Sequence, residues 1–425
     1  MAILRDNGRI WSNIHIRGQD LAMLNAQITR SREAPLFVLV NVPPRHAARH
    51  PNYLDLQTNI KEAVNLILQR RDQVQRLEVR MDCQTLQQQF GCEWSNLDEI
   101  VWVDMCPPDS NVHRASYANL RPGGLSRLKI LSLEKRINWP MNVVTQLTTF
   151  KLKGPMGIEL TTLVEFLRRN LSLESLELTD VDVRRPLNSK REEPIELPHL
   201  TQLSVHKGTC GSALSLLNLP SLKRLWAFSF KDQNTWSDYD WSKLCSRLPI
   251  ANLEVQYNSS IHERIMVVGS SELGTQSLRL AEFSPTTKSA ALFGSLSNAP
   301  FPSVTSVCLI KNMPEEGVSP SLTTAICRFL GQLPRVERMQ LRPNGLADEV
   351  VRCLSDNSEL CPELRELEVT ASEMPCKRAV ELVAEVVKAR ASYGGGRKMG
   401  RIGYLHPPGS QLGGEVKTRR MWSWL

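Results

Sequence analysis

The chain has no apolar run long enough to cross a bilayer: its longest, Pro35 to Val42, has the length of one strand. No charged-then-apolar signal segment opens it, so the expected location is intracellular, cytoplasmic or nuclear. The cysteines at 83, 92, 106, 210, 245, 308, 327, 353, 361 and 376 never form a Cys-x-x-Cys pair, and no histidine stands near them at a zinc-binding spacing. Cys327 and Cys353 lie in apolar stretches, where a reduced cysteine acts as a small buried hydrophobe, and a reducing compartment fits that usage. Phosphate-loop, dinucleotide, nucleophile-elbow and His-Glu-x-x-His patterns are all missing. Gly394-Gly395-Gly396-Arg397-Lys398 follows a helical stretch instead of preceding one, so it lacks a helix N-terminus for an anion and reads as a linker. The expectation is a protein that is not an enzyme, with no cofactor and no metal.

Acidic residues are scarce at the C-terminal end. From Lys388 onward eight basic residues face the single acid Glu415, a net +7 out of the chain's +8. The remainder is therefore close to neutral. A basic tail is compatible with a nucleic-acid-associated factor, though a solvated tail explains it as well. Apolar residues at 41% and charged residues at 23% are ordinary for a folded chain.

What the sequence does contain is a repeat. The spacing apolar-x-x-apolar-x-apolar recurs at Val74/Leu77/Val79, Leu97/Ile100/Trp102, Leu128/Leu131/Leu133, Leu147/Phe150/Leu152, Leu173/Leu176/Leu178, Leu200/Leu203/Val205, Leu222/Leu225/Ala227, Ile250/Leu253/Val255, Val304/Val307/Leu309, Val336/Met339/Leu341 and Leu364/Leu367/Val369. A weaker copy at Leu278/Leu280 fills the one wide gap. From Leu77 to Leu367 the mean period is about 26 residues, inside the leucine-rich-repeat range. Two apolar positions two apart share one face of a strand, and the earlier one enters the same core from the preceding turn. The expected fold is α/β: a leucine-rich-repeat solenoid, with a curved parallel sheet on the concave side and helices and turns on the convex side.

Four segments follow. Residues 1–72 form an N-terminal capping region of strand, helix, strand and helix, with strands at Trp11 to Ile16 and Leu36 to Val42 and helices at Asp20 to Ser31 and Leu54 to Arg70. Residues 73–375 carry the irregular repeats, with helices expected at Thr161 to Arg169, Trp241 to Arg247, Leu322 to Leu330 and Leu346 to Leu354. Residues 376–405 supply a capping helix, Lys377 to Arg390, and a last strand, Arg401 to Leu405; 406–425 form the basic tail. Pro107 to Gly124 and Arg184 to Glu196 read as surface loops. The consensus Asn, three residues after the last apolar position, is present only at Asn258, Asn312 and Asn344, so a ladder of buried Asn would be partial. The sequons at Asn170-Leu171-Ser172 and Asn258-Ser259-Ser260 are read as chance matches.

At the N-terminus stand Ile10-Trp11-Ser12-Asn13-Ile14-His15-Ile16, a helix, and Arg30-Ser31-Arg32-Glu33-Ala34-Pro35-Leu36-Phe37-Val38-Leu39-Val40. Repeats begin with Leu197-Pro198-His199-Leu200, Leu219-Pro220-Ser221-Leu222, Leu333-Pro334-Arg335-Val336 and Cys361-Pro362-Glu363-Leu364. This pattern resembles the F-box/leucine-rich-repeat-like proteins of mushroom-forming fungi, over nearly the whole chain. The resemblance implies the substrate receptor of an SCF-type (cullin-RING) ubiquitin ligase, with a protein substrate on the concave face. The F-box itself would have to precede Trp11, and no Leu-Pro-x-Glu-Ile-Leu opening is present, so a Skp-type adaptor is expected only if an F-box is restored.

Candidate contacts lie on the strands. With Leu225 and Ala227 inward, Arg224, Trp226 and Phe228 face the concave side, a combination enriched at binding hot spots. A one-residue slip would instead bury Trp226, Phe228 and Phe230, and burial of three aromatics is the stronger hydrophobic argument. His206 points away from the core if Leu203 and Val205 point in. Lys151 and Lys153 flank Leu152 and read either as a basic patch or as a solvated strand face. Neither a membrane partner nor a nucleic-acid partner on the concave face is expected.

Overall fold

A computed structural model describes residues 8–17, 20–41, 53–81, 93–105, 116–117, 125–134, 137–138, 144–184, 193–209, 211–229, 248–258, 263–284, 301–311, 320–342, 346–357, 359–370, 381, 384–389, 401–405 and 420–422. The chain is mixed α/β, with mostly parallel sheets and few helices, and it divides into two compact units. One comprises Met1–Leu203 and Gly208–Ser221, the other Ser204–Lys207 and Leu222–Leu425, so the division falls inside the 73–375 segment.

The first unit is built on seven strands paired in chain order and all parallel: β1 Asn13–Ile16, β2 Leu36–Asn41, β3 Val74–Met81, β4 Glu99–Asp104, β5 Ile130–Glu134, β6 Thr149–Glu159 and β7 Ser175–Arg184. Register places the triplets side by side. One inward row reads Ile14, Val38, Leu77, Ile100, Leu131, Phe150, Leu176, and the next reads Ile16, Val40, Val79, Trp102, Leu133, Leu152, Leu178. All of these side chains are buried, and so are the leading positions Val74, Leu97, Leu128, Leu147 and Leu173. Burial of this kind stabilises by roughly 1.5–3 kcal/mol per large side chain.

Backbone hydrogen bonds repeat with the same rhythm. The Asp98 carbonyl accepts from Lys129 and Ile130 N–H, Lys129 from Thr148 and Thr149, Thr148 from Glu174 and Ser175, and Glu174 from Thr201 and Gln202. Each repeat thus hands one carbonyl to two donors of the next, which satisfies the chain where it enters a strand. Helix α1, Leu21–Ser31, starts at Asp20, whose carboxylate accepts from Ala22 N–H at 2.8 Å. Helix α2 spans Tyr53–Leu68 and α3 spans Leu160–Arg169; Phe166 of α3 meets Phe150 at a ring-centroid distance of 4.5 Å, so the helix covers the inward face.

The second unit departs from the expected succession of one parallel rung per repeat. Strand β8, Arg224–Ser229, pairs in parallel with β11, Ser277–Ser284, and not with β9, Asn252–Asn258. Between them stands β10, Glu263–Ser270, antiparallel to both β9 and β11. The cause is connection length: parallel neighbours need a crossover of a dozen or more residues, whereas the short links from β9 to β10 and from β10 to β11 permit only hairpins. The β10–β11 turn uses Gly274 at φ +67°, and the Gly274 N–H donates to the Ser271 carbonyl at 3.0 Å. Leu278 and Leu280, the weak copy, therefore lie beside Leu225 and Ala227. Gly269 occupies the inward row between Leu253 and Leu278, where an added Cβ would come within 2.7 Å of Ile250.

Beyond β9 the parallel order resumes through β12 Ser306–Lys311, β13 Arg338–Arg342, β14 Glu366–Thr370 and β15 Arg401–Leu405, against which Arg420–Trp422 adds an antiparallel strand. The inward triplets from Leu222 to Val369 are again buried. Helices α4, Pro320–Gly331, and α5, Leu346–Asp356, match their expected positions, and residues 384–389 are helical within the expected Lys377–Arg390 span. The expected helix at Trp241–Arg247, most of the loop at Pro107–Gly124 and most of the tail lie outside the described residues.

Cys327 of α4 and Cys353 of α5 are joined by a disulfide, with Cα atoms 5.6 Å apart. This corrects their reading as two separate reduced hydrophobes: the helices of two successive repeats stand side by side, and equivalent positions on them bring the two sulfurs together. A non-reducing digest should recover the two cysteines on one cross-linked peptide. Reduction, or alanine at both positions, should lower stability by about 3.5 kcal/mol, the closure entropy of a loop with a sequence separation of 26. Urea unfolding with and without reductant measures it.

Candidate functional site

The strand face opposite the inward rows presents the candidate residues. In β8 the alternation is unambiguous: Leu225 and Ala227 are buried, Arg224 is exposed, and Trp226 and Phe228 are half-buried on the other face. The burial of Trp226 and Phe228 in the core, which the hydrophobic argument favoured, does not occur; Phe230 lies outside the described residues. The Leu222/Leu225/Ala227 triplet keeps the register of its neighbours, because a slip would break two ladders of inward side chains at once.

Four of the six residues come together in the second unit. The His206 ring stacks on Phe228, with centroids 4.7 Å apart and planes 7° from parallel. His206 Nε2 and Ser204 Oγ are hydrogen-bonded at 2.6 Å, and Ser204 is buried. Trp226 faces Arg279 in register, and that guanidinium lies 5.5 Å from the indole centroid. The indole Nε1 is enclosed and has no hydrogen-bond partner among the described residues.

Lys151 and Lys153 belong to the first unit, and the structure does not support a patch of one sign there. Lys153 Nζ is 3.0 Å from the Glu177 carboxylate, and Glu134 and Glu177 flank the two lysines in register. Farther along that face, Arg76 pairs with Glu99 at 3.5 Å and Arg80 with Glu78 at 2.7 Å. Facing strands supply opposite charges at neighbouring positions, so this outward surface largely neutralises itself.

Several residues of the second unit's outward face were not picked out from sequence. Arg279 is signalled by the alternation Leu278-Arg279-Leu280, but its place beside Trp226 depends on the reordered strands. Cys308 lies on the outward row of β12, its thiol 3.5 Å from the side-chain amide oxygen of Gln340. Burial first, then the carboxylates of Glu254 and Glu368, raise its pKa from 9.0 to about 11 against the opposing pull of Arg342. At pH 8 its thiolate fraction is then about a hundredfold below that of an ordinary thiol. Iodoacetamide should therefore modify Cys308 about a hundredfold more slowly than a free cysteine peptide, which quantitative peptide mapping can follow. Among the described residues no group of three or more His, Cys, Asp or Glu side chains is placed to hold a metal ion, and no helix is long and apolar enough to cross a membrane.

Arginine, indole, phenyl and imidazole groups on one open strand face offer cation, hydrogen-bond donor and apolar surface together, the composition of a protein-contact centre. Compared with known proteins, the chain matches no family model and no curated sequence.

Proposed function

We propose that the chain is a leucine-rich-repeat solenoid, modified by one antiparallel hairpin insertion, and that it acts without catalysis as a protein-recognition module. The observation that carries this reading is the cluster of Arg224, Trp226, Phe228, His206 and Arg279 on the strand face away from the helices. The resemblance to F-box/leucine-rich-repeat-like proteins extends it to substrate reception for a cullin-RING ubiquitin ligase.

Affinity purification of the full chain tests the reading. Partners recovered with the wild-type chain should be lost with Trp226→Ala/Phe228→Ala and kept with Lys151→Ala/Lys153→Ala. Equal recovery from both variants, each folded by circular dichroism, would refute it.

A further inference from the structure

The charges on the outward face of the second unit are arranged differently from those of the first. Arg224, Arg279, Arg338 and Arg342 are all exposed there, and none has an ion pair among the described residues. Around the aromatic cluster the imbalance is sharpest. The described outward positions are Ser204 and His206, then Arg224, Trp226 and Phe228 of β8, Ser277 and Arg279 of β11, and Met266, Val268 and Ser270 of β10, with no carboxylate among them. Within the second unit the nearest described acid in this row is Glu254, beyond Val268, and it already accepts from the Gln256 amide. Two guanidinium groups held beside half-buried indole, phenyl and methionine side chains, without ion-pair partners among the described residues, favour an anionic ligand that also has apolar groups.

The ring geometry separates two kinds of anion. Single-stranded nucleic acid binds such surfaces by stacking bases on open aromatic faces. Here one Phe228 face is taken by His206 and one Trp226 face by Arg279, which leaves less open ring face for a base and sets a guanidinium beside the indole. A carboxylate needs only the guanidinium fork, and aliphatic side chains need only the edges. We infer that the Arg224/Trp226/Phe228/Arg279 face binds an acidic protein segment, in which Asp or Glu residues interspersed with aliphatic ones dock on the two arginines and the aromatic edges. This rests on the reading of that face as the protein-binding surface and names the chemistry of its partner.

The experiment is fluorescence anisotropy with the full chain and three labelled probes: a peptide of repeated Glu-Glu-Leu units, its Gln-Gln-Leu counterpart, and an oligouridylate of equal length. The acidic peptide should bind more tightly than the other two, and added salt should weaken it. Arg224→Ala/Arg279→Ala should lower its affinity about tenfold or more, which is about 1.4 kcal/mol. Lys151→Ala/Lys153→Ala should leave it within about twofold, as expected for charges already neutralised at home. Arg279→Glu, a surface change that leaves the core rows untouched, should remove the preference for the acidic peptide over its Gln-Gln-Leu counterpart. Equal binding of the glutamine peptide, tighter binding of the oligouridylate, or indifference to all the arginine substitutions would overturn the inference. If the arginines prove irrelevant while Trp226→Ala/Phe228→Ala still abolishes partner recovery, the face binds protein by other chemistry; if both variants are silent, the face itself is wrongly assigned.

Discussion

Asn170→Ala is expected to destabilise the first unit by about 4 kcal/mol. The side chain is fully buried, its Oδ1 accepts from Leu147 N–H at 3.0 Å, and its Nδ2 donates to the carbonyls of Val144 at 3.1 Å and Phe166 at 2.9 Å. Two of these three partners belong to the preceding repeat, so the amide ties the end of α3 to the turn that leads into β6. Alanine removes all three bonds and leaves backbone groups buried without partners, at about 1–3 kcal/mol each. Aspartate should do no better, since a carboxylate cannot donate to two carbonyls. Asn357 makes an instructive contrast at the end of α5: it is exposed, and among the described residues its side chain reaches only the Cys353 carbonyl, at 3.4 Å. Its alanine variant should lose under about 1 kcal/mol. The shift of the first unit's urea midpoint at constant slope measures both. The same burial means that the Asn170 sequon cannot accept a glycan in the folded chain.

Phe150→Ala should cost the first unit about 3–5 kcal/mol. The ring is fully buried in the inward row between Leu131 and Leu176 and tilts 49° against Phe166, so its loss opens a cavity and removes an aromatic contact. Lys151 is the next residue and points the other way; Lys151→Ala should change stability by less than about 0.5 kcal/mol. A large loss at 150 beside none at 151 is the signature of strand alternation. Phe166 also carries the carbonyl that Asn170 bonds, so Phe150→Ala and Asn170→Ala should not add, and a double-mutant cycle would reveal the coupling.

These residues show which parts of the structure could be read from sequence. The inward triplets could, from Val74 through Val369, because burial of alternate positions is decided within each strand by its own apolar pattern. The helices at Leu160–Arg169, Pro320–Gly331 and Leu346–Asp356 followed from the same local periodicity. Strand order could not be read. Leu278 and Leu280 resemble a late rung, yet the hairpins on either side of β10 place them next to Leu225 and Ala227, a pairing decided by loop length and not by apolar spacing. Strand β10 itself, Glu-Arg-Ile-Met-Val-Val-Gly-Ser, has apolar residues on both faces and so carries no alternation to announce it.

The candidate site was half visible for the same reason. Arg224, Trp226, Phe228 and His206 could be nominated from alternation, but Trp226 and Phe228 had two registers open to them. Arg279 reaches Trp226 only through the reordered sheet. The buried asparagine was sought three residues after the repeat's last apolar position and is found instead at the end of α3, three residues ahead of Leu173. Its clue was an Asn closing a strongly amphipathic helix just before a triplet.

The central proposition is that partners meet the strand face of the second unit and not its helices. A photo-cross-linking amino acid at position 279, on the outward row of β11, compared with one at position 328, on the exposed side of α4, tests it directly. With partner-containing extract, a discrete cross-linked polypeptide should form from 279 and fail to form from 328. Capture from 328 alone, or equal capture from both positions, would contradict it.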